Sequence, residues 1–210
     1  MKLQLDTKTF AETCRERGPG DIIEFGTREG DSTVVIAEEY KLGNIFTIDG
    51  FEGLPGTAHG TLPNNVWREG NFKADKDTVI KRLSQFPNVN VIASWISDLK
   101  NPSEYDIKKI VGANVDVDIY ESTLESLIYL DKCEWDEVVL RFDDWDYHTM
   151  QDEVKKHNQA AFTDYIRMHN FYDEEKKYTY ELLYYGTIIE NGVPINNAYP
   201  YFATFLLKRN

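Results

Sequence analysis

The sequence contains few cysteines and no long hydrophobic run. Its two cysteines, Cys14 and Cys133, have no metal-ligand spacing to each other or to a histidine, so we interpret them as reduced thiols. No apolar run approaches the ~20 residues of a membrane-spanning helix. Residues 1–8 lack the apolar core of a signal peptide. These absences predict a soluble, cytoplasmic protein with no membrane partner.

Positive charge is also scarce. The chain of 210 residues has 23 lysines and arginines against 36 aspartates and glutamates, which gives a formal net charge of −13. This excess of negative charge opposes binding to phosphate backbones, so we expect no nucleic-acid partner. With 41% hydrophobic residues, the chain is long enough for one core, and we expect a single domain over residues 1–210.

Helix and strand patterns alternate along the sequence. Residues 1–20 predict an N-terminal helix. Apolar runs then predict strands at 21–25, 45–48, 88–92, 115–119 and 137–142, with helical periodicity between them. Two further strands, 178–185 and 201–207, have no helix between them and are therefore expected to be antiparallel. The pattern predicts an α/β, Rossmann-like fold with a mostly parallel seven-stranded sheet, an antiparallel C-terminal strand pair and helices on both faces, which resembles the class I methyltransferase sheet.

Capping residues predict where the helices begin and end. Asp31 or Ser32 would begin the helix after the first strand, and Gly43 would end it. Asp75 or Asp77 would begin the next one, and a later helix would begin near Thr149.

Residues 50–73 are expected to form a long loop. They contain five of the 13 glycines and few periodic apolar positions. Loops of this length are usually functional or disordered, so we expect a substrate or lid loop here.

The turn after the first predicted strand indicates the class of cofactor. A dinucleotide site needs the pattern G-x-G-x-x-G, whereas this turn reads Glu24-x-Gly26-x-x-x-Gly30. An acid before the first glycine would repel a pyrophosphate but suits a cation such as the sulfonium compound S-adenosylmethionine (SAM). Asp49 ends the second strand, where a carboxylate accepts hydrogen bonds from ribose hydroxyls. The alternative is that the turn is ordinary strand-to-helix geometry.

Further acids follow the fourth and fifth predicted strands. Asp116, Asp143 and Asp144 would meet at the edge of the sheet where the parallel strands end. Three carboxylates make a hard oxygen site that suits Mg²⁺. Asp118 would share a strand face with Asp116 and is our candidate general base; alternatively, it orients a ligand or caps the next helix. His148 could replace it as base or reach the acceptor, or be an exposed residue at the start of a helix.

Five segments together resemble the TylF (macrocin O-methyltransferase) family. They are Glu24-Phe-Gly-Thr-Arg-Glu-Gly-Asp-Ser-Thr33, Asp49-Gly-Phe-Glu-Gly-Leu-Pro55, Ser94-Trp-Ile-Ser-Asp98, Asp116-Val-Asp-Ile-Tyr-Glu-Ser-Thr123 and Asp143-Asp144. The resemblance implies a SAM-dependent, Mg²⁺-dependent enzyme that methylates hydroxyls of sugars or related small molecules.

Carried over by position, the resemblance implies a set of site residues. The methionine end of SAM would be held by Glu24, Gly26, Gly30 and Ser32. Asp49 would bind the ribose, and Ser94 with Trp95 would flank the adenine. Further cofactor contacts are predicted for Thr27, Gly50, Phe51 and Asp116. The metal ligands would be Asp116, Asp143 and Asp144, with Asp118 as the base.

Two other functions stay open at this point. The first is a metal-independent methyltransferase acting on nitrogen or another oxygen, in which Asp116 binds the cofactor amine. The second is a catalytically silent nucleoside-binding module whose long loop recruits a partner. A homodimer is possible in each case.

Overall fold

The computed structural model describes residues 4–56, 69–145, 157–171, 177–186, 189–190, 193–194 and 202–210. The helices are α1 (Gln4–Arg17), α2 (Asp31–Glu39), α3 (Lys76–Leu83), α4 (Tyr120–Leu130) and α5 (His157–Asn170). The strands are β1 (Asp21–Phe25), β2 (Ile45–Asp49), β3 (Val89–Ala93), β4 (Ile110–Val115), β5 (Glu137–Phe142), β6 (Tyr178–Gly186), β7 (Ile189–Glu190), β8 (Val193–Pro194) and β9 (Phe202–Arg209). Two short 3-10 helices, Ile96–Asp98 and Pro102–Tyr105, lie between β3 and β4.

Seven of these strands form one sheet in the order β3-β2-β1-β4-β5-β9-β6. The first five pair in parallel. β9 lies antiparallel between β5 and β6, while β7 and β8 form a separate short hairpin. The predicted α/β fold and its antiparallel C-terminal pair are confirmed.

Helices cover both faces of the sheet. Alternate residues of β1 show the two sides, since Ile22 packs with Phe10 of α1, whereas Ile23 belongs to the core that includes Leu127 of α4 and Phe162 of α5. Both cores are buried, as expected for a parallel sheet between helical layers. Among the described residues, none of the helices has the length and apolar character needed to span a membrane.

The predicted position of the fourth strand is wrong. β4 is Ile110–Val115, buried throughout, and the chain leaves the sheet at Asp116. Gly112 weakened the apolar pattern there, and it has a packing reason: a Cβ at this position would lie 2.4 Å from Cys14 Sγ in α1. The alternation in 116–119 is not a strand, because Asp118 adopts φ 63 and α4 begins at Tyr120.

Helix boundaries agree in part. Asp75 caps α3 as predicted, and its Oδ1 accepts a hydrogen bond from Thr78 N at 2.8 Å. The predicted caps of α2 are wrong: Gly30 in the left-handed region is the N-cap, without a side-chain hydrogen bond, and α2 ends at Glu39 before Gly43. The helix start predicted near Thr149 lies outside the described residues.

Candidate cofactor and carboxylate site

The turn between β1 and α2 lies directly against the segment that follows β4. Gly26 and Gly30 have φ values of 90 and 80. A Cβ at Gly26 would lie 1.8 Å from the carbonyl oxygen of Asp116, so glycine is required for the backbones to pass. Asp116 N donates to Phe25 O at 2.9 Å, which fixes this approach. Asp116 and the Gly26–Gly30 turn therefore form one surface at the carboxyl edge of the sheet.

Glu24 lies beneath this turn and is fully buried. Its carboxylate accepts hydrogen bonds from Thr47 Oγ1 at 2.8 Å, from Asn114 Nδ2 at 3.0 Å and from the Thr33 hydroxyl. Burial raises its pKa, while these hydrogen bonds and one from Ser32 act in the opposite direction. Glu24 thus joins β1, β2, β4 and α2 below the turn, and its contact with the methionine end of SAM stays a prediction.

Asp49 ties the end of β2 to the same turn. Its Oδ2 accepts hydrogen bonds from Thr27 N at 2.9 Å and Arg28 N at 2.7 Å, and its Oδ1 accepts one from Phe51 N at 2.6 Å. A carboxylate offers about four acceptor positions. Asp49 therefore both shapes the turn and keeps acceptor capacity for a ligand hydroxyl.

Thr27 and Phe51 point away from this surface. The Thr27 side chain is buried and shares a hydrogen bond of 2.5 Å with Thr47 Oγ1. Phe51 packs into a small apolar cluster with Val79 and Leu83 of α3. For both residues, the backbone amide is the group at the predicted cofactor site.

An aromatic ring lies beside the end of β2. A Cβ at Gly50 would lie 3.1 Å from the indole ring of Trp95, and Trp95 is 38% exposed. Ser94 joins this region to β2, because its backbone N donates to Asp49 O at 3.0 Å. A cavity of about 470 Å³ is lined by Gly50, Phe51, Ala93 and residues 73–76. The predicted adenine residues thus stand next to the predicted ribose residue.

Three carboxylates meet after β4 and β5. One oxygen from each of Asp116, Asp118 and Asp144 lies within 4.8 Å of the others. The ends of β4 and β5 are joined at this point, since Asp143 N donates to Val115 O at 3.1 Å. The expectation that Asp116 and Asp118 share a strand face is wrong, because both follow β4; the left-handed turn at Asp118 brings its carboxylate to the group.

The three carboxyl groups perturb one another. Burial and the neighbouring carboxylates raise the pKa of Asp116 and Asp144 well above its usual range, and that of Asp118 to about 7. A hydrogen bond between Asp118 and Asp144 favours the charged form of Asp118 and the protonated form of Asp144. The positive charge of Arg28, in the turn between β1 and α2, acts in the opposite direction and lowers the pKa of Asp118. His148 lies outside the described residues.

Asp143 has a different partner from the other acids. It is buried, and its Oδ1 accepts a hydrogen bond from Arg141 Nη2 at 2.5 Å. Arg141 also donates to Asp6 Oδ2 and to Asn114 Oδ1, each at 2.6 Å. The predicted metal set of Asp116, Asp143 and Asp144 therefore stands beside a buried arginine, and its use as a metal site stays a prediction.

Sequence reasoning missed Arg141, Asn114 and Asp6. The available signal was a charge inside the apolar run Val138-Val-Leu-Arg-Phe142, because a strand covered on both faces does not hold a charge without partners. The partners themselves come from α1 and β4, which are distant in the sequence.

The fold matches solved methyltransferase structures. The O-methyltransferase NovP has a TM-score of 0.63 at 15% identity, and the match covers 99% of this chain and 78% of NovP. The calicheamicin methyltransferase CalS11, a TDP-rhamnose 3′-O-methyltransferase, has a TM-score of 0.63 at 18% identity, covering 98% and 77% of the two chains. An O-methyltransferase from Bacillus cereus in complex with S-adenosylhomocysteine (SAH) has a TM-score of 0.63 at 12% identity, covering 98% and 81%. No protein-family model and no curated protein sequence matches the chain. At these identities the comparison establishes the shared fold.

Proposed function

We propose that this protein is a SAM-dependent, Mg²⁺-dependent O-methyltransferase that acts on a hydroxyl of a sugar or related small molecule, as its resemblance to the TylF family implies. The contact between the Gly26 turn and Asp116 carries the proposal, since it joins a cofactor turn to a group of carboxylates at one sheet edge. The O-methyltransferase neighbours NovP and CalS11 support the same chemistry, and the TDP-sugar acceptor of CalS11 supports a sugar.

The residues at the sheet edge fit SAM. The Gly26–Gly30 turn would hold the methionine end, Asp49 would accept a ribose hydroxyl through its remaining acceptor position, and the exposed Trp95 ring would lie against adenine. When bound, SAM would supply an electrophilic methyl group, whose bond to sulfur breaks as the methyl is transferred, so that SAH is the leaving group. The chain itself contributes orientation, because the amides that Asp49 holds fix the turn relative to β2.

The carboxylates fit a divalent cation. Mg²⁺ prefers six oxygen ligands at about 2.0–2.1 Å, so ligand oxygens lie about 3 Å apart when adjacent and about 4 Å apart when opposite. One oxygen each of Asp116 and Asp144 lie within 4.8 Å of each other, so the two carboxylates need only a small approach to share an ion, and an Asp118 oxygen lies at the same distance limit from both. Asp116 and Asp144 would hold the ion, together with Asp143 as the resemblance implies, and the ion would supply positive charge next to the acceptor hydroxyl.

Asp118 would accept the proton that the acceptor hydroxyl loses as its oxygen attacks the methyl group. In the metal-free chain, burial and Asp116 raise its pKa to about 7. A bound cation would lower that pKa and keep the carboxylate ionised, as a general base requires. Asp116 raises the pKa of Asp118 and Arg28 lowers it, so Asp118 is influenced by both the carboxylate group and the glycine turn.

The loop of residues 50–73 would cover the acceptor. Its two described ends are joined, since Leu54 N donates to Asn71 O at 2.8 Å and Gly70 N donates to Leu54 O at 2.9 Å. These two bonds close the base of the loop. We propose that this loop belongs to a single domain formed by residues 1–210.

One observation favours a second candidate, a metal-independent methyltransferase. The hydrogen bond between Asp118 and Asp144, with Arg141 on Asp143, gives each of these acids a partner in the protein itself. In that case Asp118 would act as base without an ion, and a chelator would leave activity unchanged.

Transfer of a radiolabelled methyl group from SAM to a panel of diol sugars tests the proposal. We expect transfer with Mg²⁺, loss of transfer with EDTA, and a loss of about 10²–10⁴-fold for Asp118→Asn. The matched control is Asp136→Asn, because Asp136 is 82% exposed and precedes β5 at the opposite edge of the sheet. Full transfer with EDTA would favour the second candidate, and full activity of Asp118→Asn would exclude it as the base.

A further inference from the structure

A row of buried polar side chains crosses the sheet below the site. Its members occupy positions paired in register on five adjacent strands: Thr47, Glu24, Asn114, Arg141 and Thr204. Residues paired in this way point to the same face. All five are fully buried on the face that α1 and α2 cover. Such a row is costly to bury unless its members bond to one another.

Three members of the row form a continuous chain of hydrogen bonds. Asn114 Nδ2 donates to Glu24 Oε1 at 3.0 Å, and Asn114 Oδ1 accepts from Arg141 Nη1 at 2.6 Å. Because the amide donates at one end and accepts at the other, it joins an acid to a base with a single orientation. These hydrogen bonds connect Glu24, beneath the Gly26–Gly30 turn, with Arg141 of β5, the strand that Asp143 follows.

Arg141 uses its guanidinium in three directions. Nε donates to Asp6 Oδ2 at 2.6 Å, Nη1 to Asn114 Oδ1 and Nη2 to Asp143 Oδ1 at 2.5 Å. A planar guanidinium holds its donors at fixed angles, which a lysine ammonium does not. The three partners come from α1, β4 and the end of β5, so the position of the Asp143 carboxylate is set from outside its own strand.

We propose that Arg141 is a positioning residue for the metal ligands. It holds Asp143 by Oδ1 beside the group formed by Asp116, Asp118 and Asp144, so that Oδ2 would be the Asp143 oxygen left for an ion bound there. The inference rests on the proposed function, because it assigns Arg141 a part in the metal site proposed there. Neighbouring groups that orient metal ligands typically change metal affinity by about 10–100-fold when removed.

Arg141→Lys tests this, with Mn²⁺ as the probe, measured by electron paramagnetic resonance on the full chain without acceptor. The variant keeps the positive charge and loses the three-directional geometry. We expect Mn²⁺ affinity to fall about 10-fold or more, with an unchanged far-UV circular dichroism spectrum and unchanged SAH affinity in EDTA. The matched control is Thr204→Val, which alters the adjacent position of the row and breaks none of the three Arg141 hydrogen bonds.

A double-mutant cycle separates positioning from general loosening of the fold. If Arg141 acts through Asp143, Arg141→Lys will leave Mn²⁺ affinity unchanged in an Asp143→Asn background. An equal loss in both backgrounds would overturn the inference. If Arg141→Lys does not fold, Asn114→Ala removes the acceptor of Nη1 and keeps the guanidinium; a fall in Mn²⁺ affinity would then support the inference, and an unchanged affinity would overturn it.

The outcomes also separate this inference from the proposed function. Wild-type binding of Mn²⁺ with equal binding by Arg141→Lys would overturn the inference alone. A wild-type chain that binds SAH but no Mn²⁺ would overturn the metal site and the inference together, and would leave a metal-independent methyltransferase.

Discussion

Gly26 and Asp116 are in backbone contact where the chain leaves β1 and β4: a Cβ added at Gly26 would lie 1.8 Å from the carbonyl oxygen of Asp116. This contact places the turn expected to hold a cofactor against the first of the clustered carboxylates. A methyl donor and the group that activates its acceptor must be adjacent for direct transfer. The two halves of the proposed site therefore depend on one glycine.

Gly26→Ala should destabilise the protein strongly. The substitution combines a left-handed backbone at φ 90 with a backbone clash, so we expect a loss of about 3 kcal/mol or more in the free energy of unfolding. Gly18→Ala is the control, because Gly18 has φ 100 but nothing within 4 Å of its Cβ position. Its loss should stay near 1–2 kcal/mol, the approximate cost of conformation alone. Urea unfolding measures both, and equal losses would contradict the packing argument.

Trp95→Ala should weaken SAH binding without affecting the fold. The ring is 38% exposed beside Gly50, and stacking of a base on an aromatic ring contributes about 1–3 kcal/mol. Calorimetry should show the same loss for SAH and for 5′-methylthioadenosine, which keeps the adenosine and lacks the amino acid. Trp95→Phe should retain most of the affinity. A loss confined to SAH would instead associate Trp95 with the amino-acid end.

Asp118→Asn should stabilise the metal-free protein at alkaline pH. The folded pKa of Asp118, about 7, is raised above its ordinary value of 3.8. The folded state therefore binds the extra proton between these values, and the wild-type chain loses stability as pH rises through that window. Each pKa unit corresponds to about 1.4 kcal/mol, so the difference should reach a few kcal/mol at pH 8 and vanish near pH 4.

Thermal unfolding in EDTA across pH measures that difference, with Asp136→Asn as the exposed control. Mg²⁺ should raise the wild-type melting temperature more at pH 8 than at pH 5, because the carboxylates are then ionised. A pH-independent difference between Asp118→Asn and wild type would contradict the raised pKa.

Asp131→Ala should destabilise the protein and leave SAH binding intact. Asp131 Oδ1 accepts hydrogen bonds from the hydroxyls of Tyr165 and Tyr178, both at 2.8 Å and both from buried residues. Leaving two buried hydroxyls without an acceptor costs about 2–4 kcal/mol. Asp136→Ala, which removes an exposed partner of Lys109, should leave the free energy of unfolding close to that of the wild type. Chemical unfolding and SAH calorimetry on both variants check this, and weakened SAH binding by Asp131→Ala would contradict a purely structural role.

The sequence indicated the sheet well where apolar runs ended in glycine or acid. β1 and β5 have the predicted bounds, because Asp21–Phe25 is followed by Gly26 and Glu137–Phe142 by Asp143. β4 was misplaced because Gly112 and Asn114 interrupt its apolar run while residues 116–119 alternate. Gly112 is needed for the approach of α1, a tertiary contact that no local pattern records.

From the sequence, only those parts of the candidate site could be predicted that lie directly after a strand. The meeting of Asp116 and Asp144 follows from the parallel topology. The engagement of Asp143 by Arg141 does not, because Arg141 draws its other partners from α1 and β4. The hydrogen bond between Asn114 and Glu24 joins residues 90 positions apart. Buried polar partners of this kind are set by sheet register, which the sequence pattern alone left open.

Calorimetric titration of SAH into the purified chain, with Mg²⁺ and again with EDTA, shows whether the chain binds the product of SAM and whether a metal ion changes that binding. We expect binding in the low-micromolar range, about −8 kcal/mol, because the turn, Asp49 and Trp95 form one surface at the sheet edge. We also expect a measurable change in affinity between the two conditions, since the backbone of Asp116 contacts that turn and its side chain belongs to the carboxylate group. Absence of SAH binding in both conditions would contradict the methyltransferase assignment.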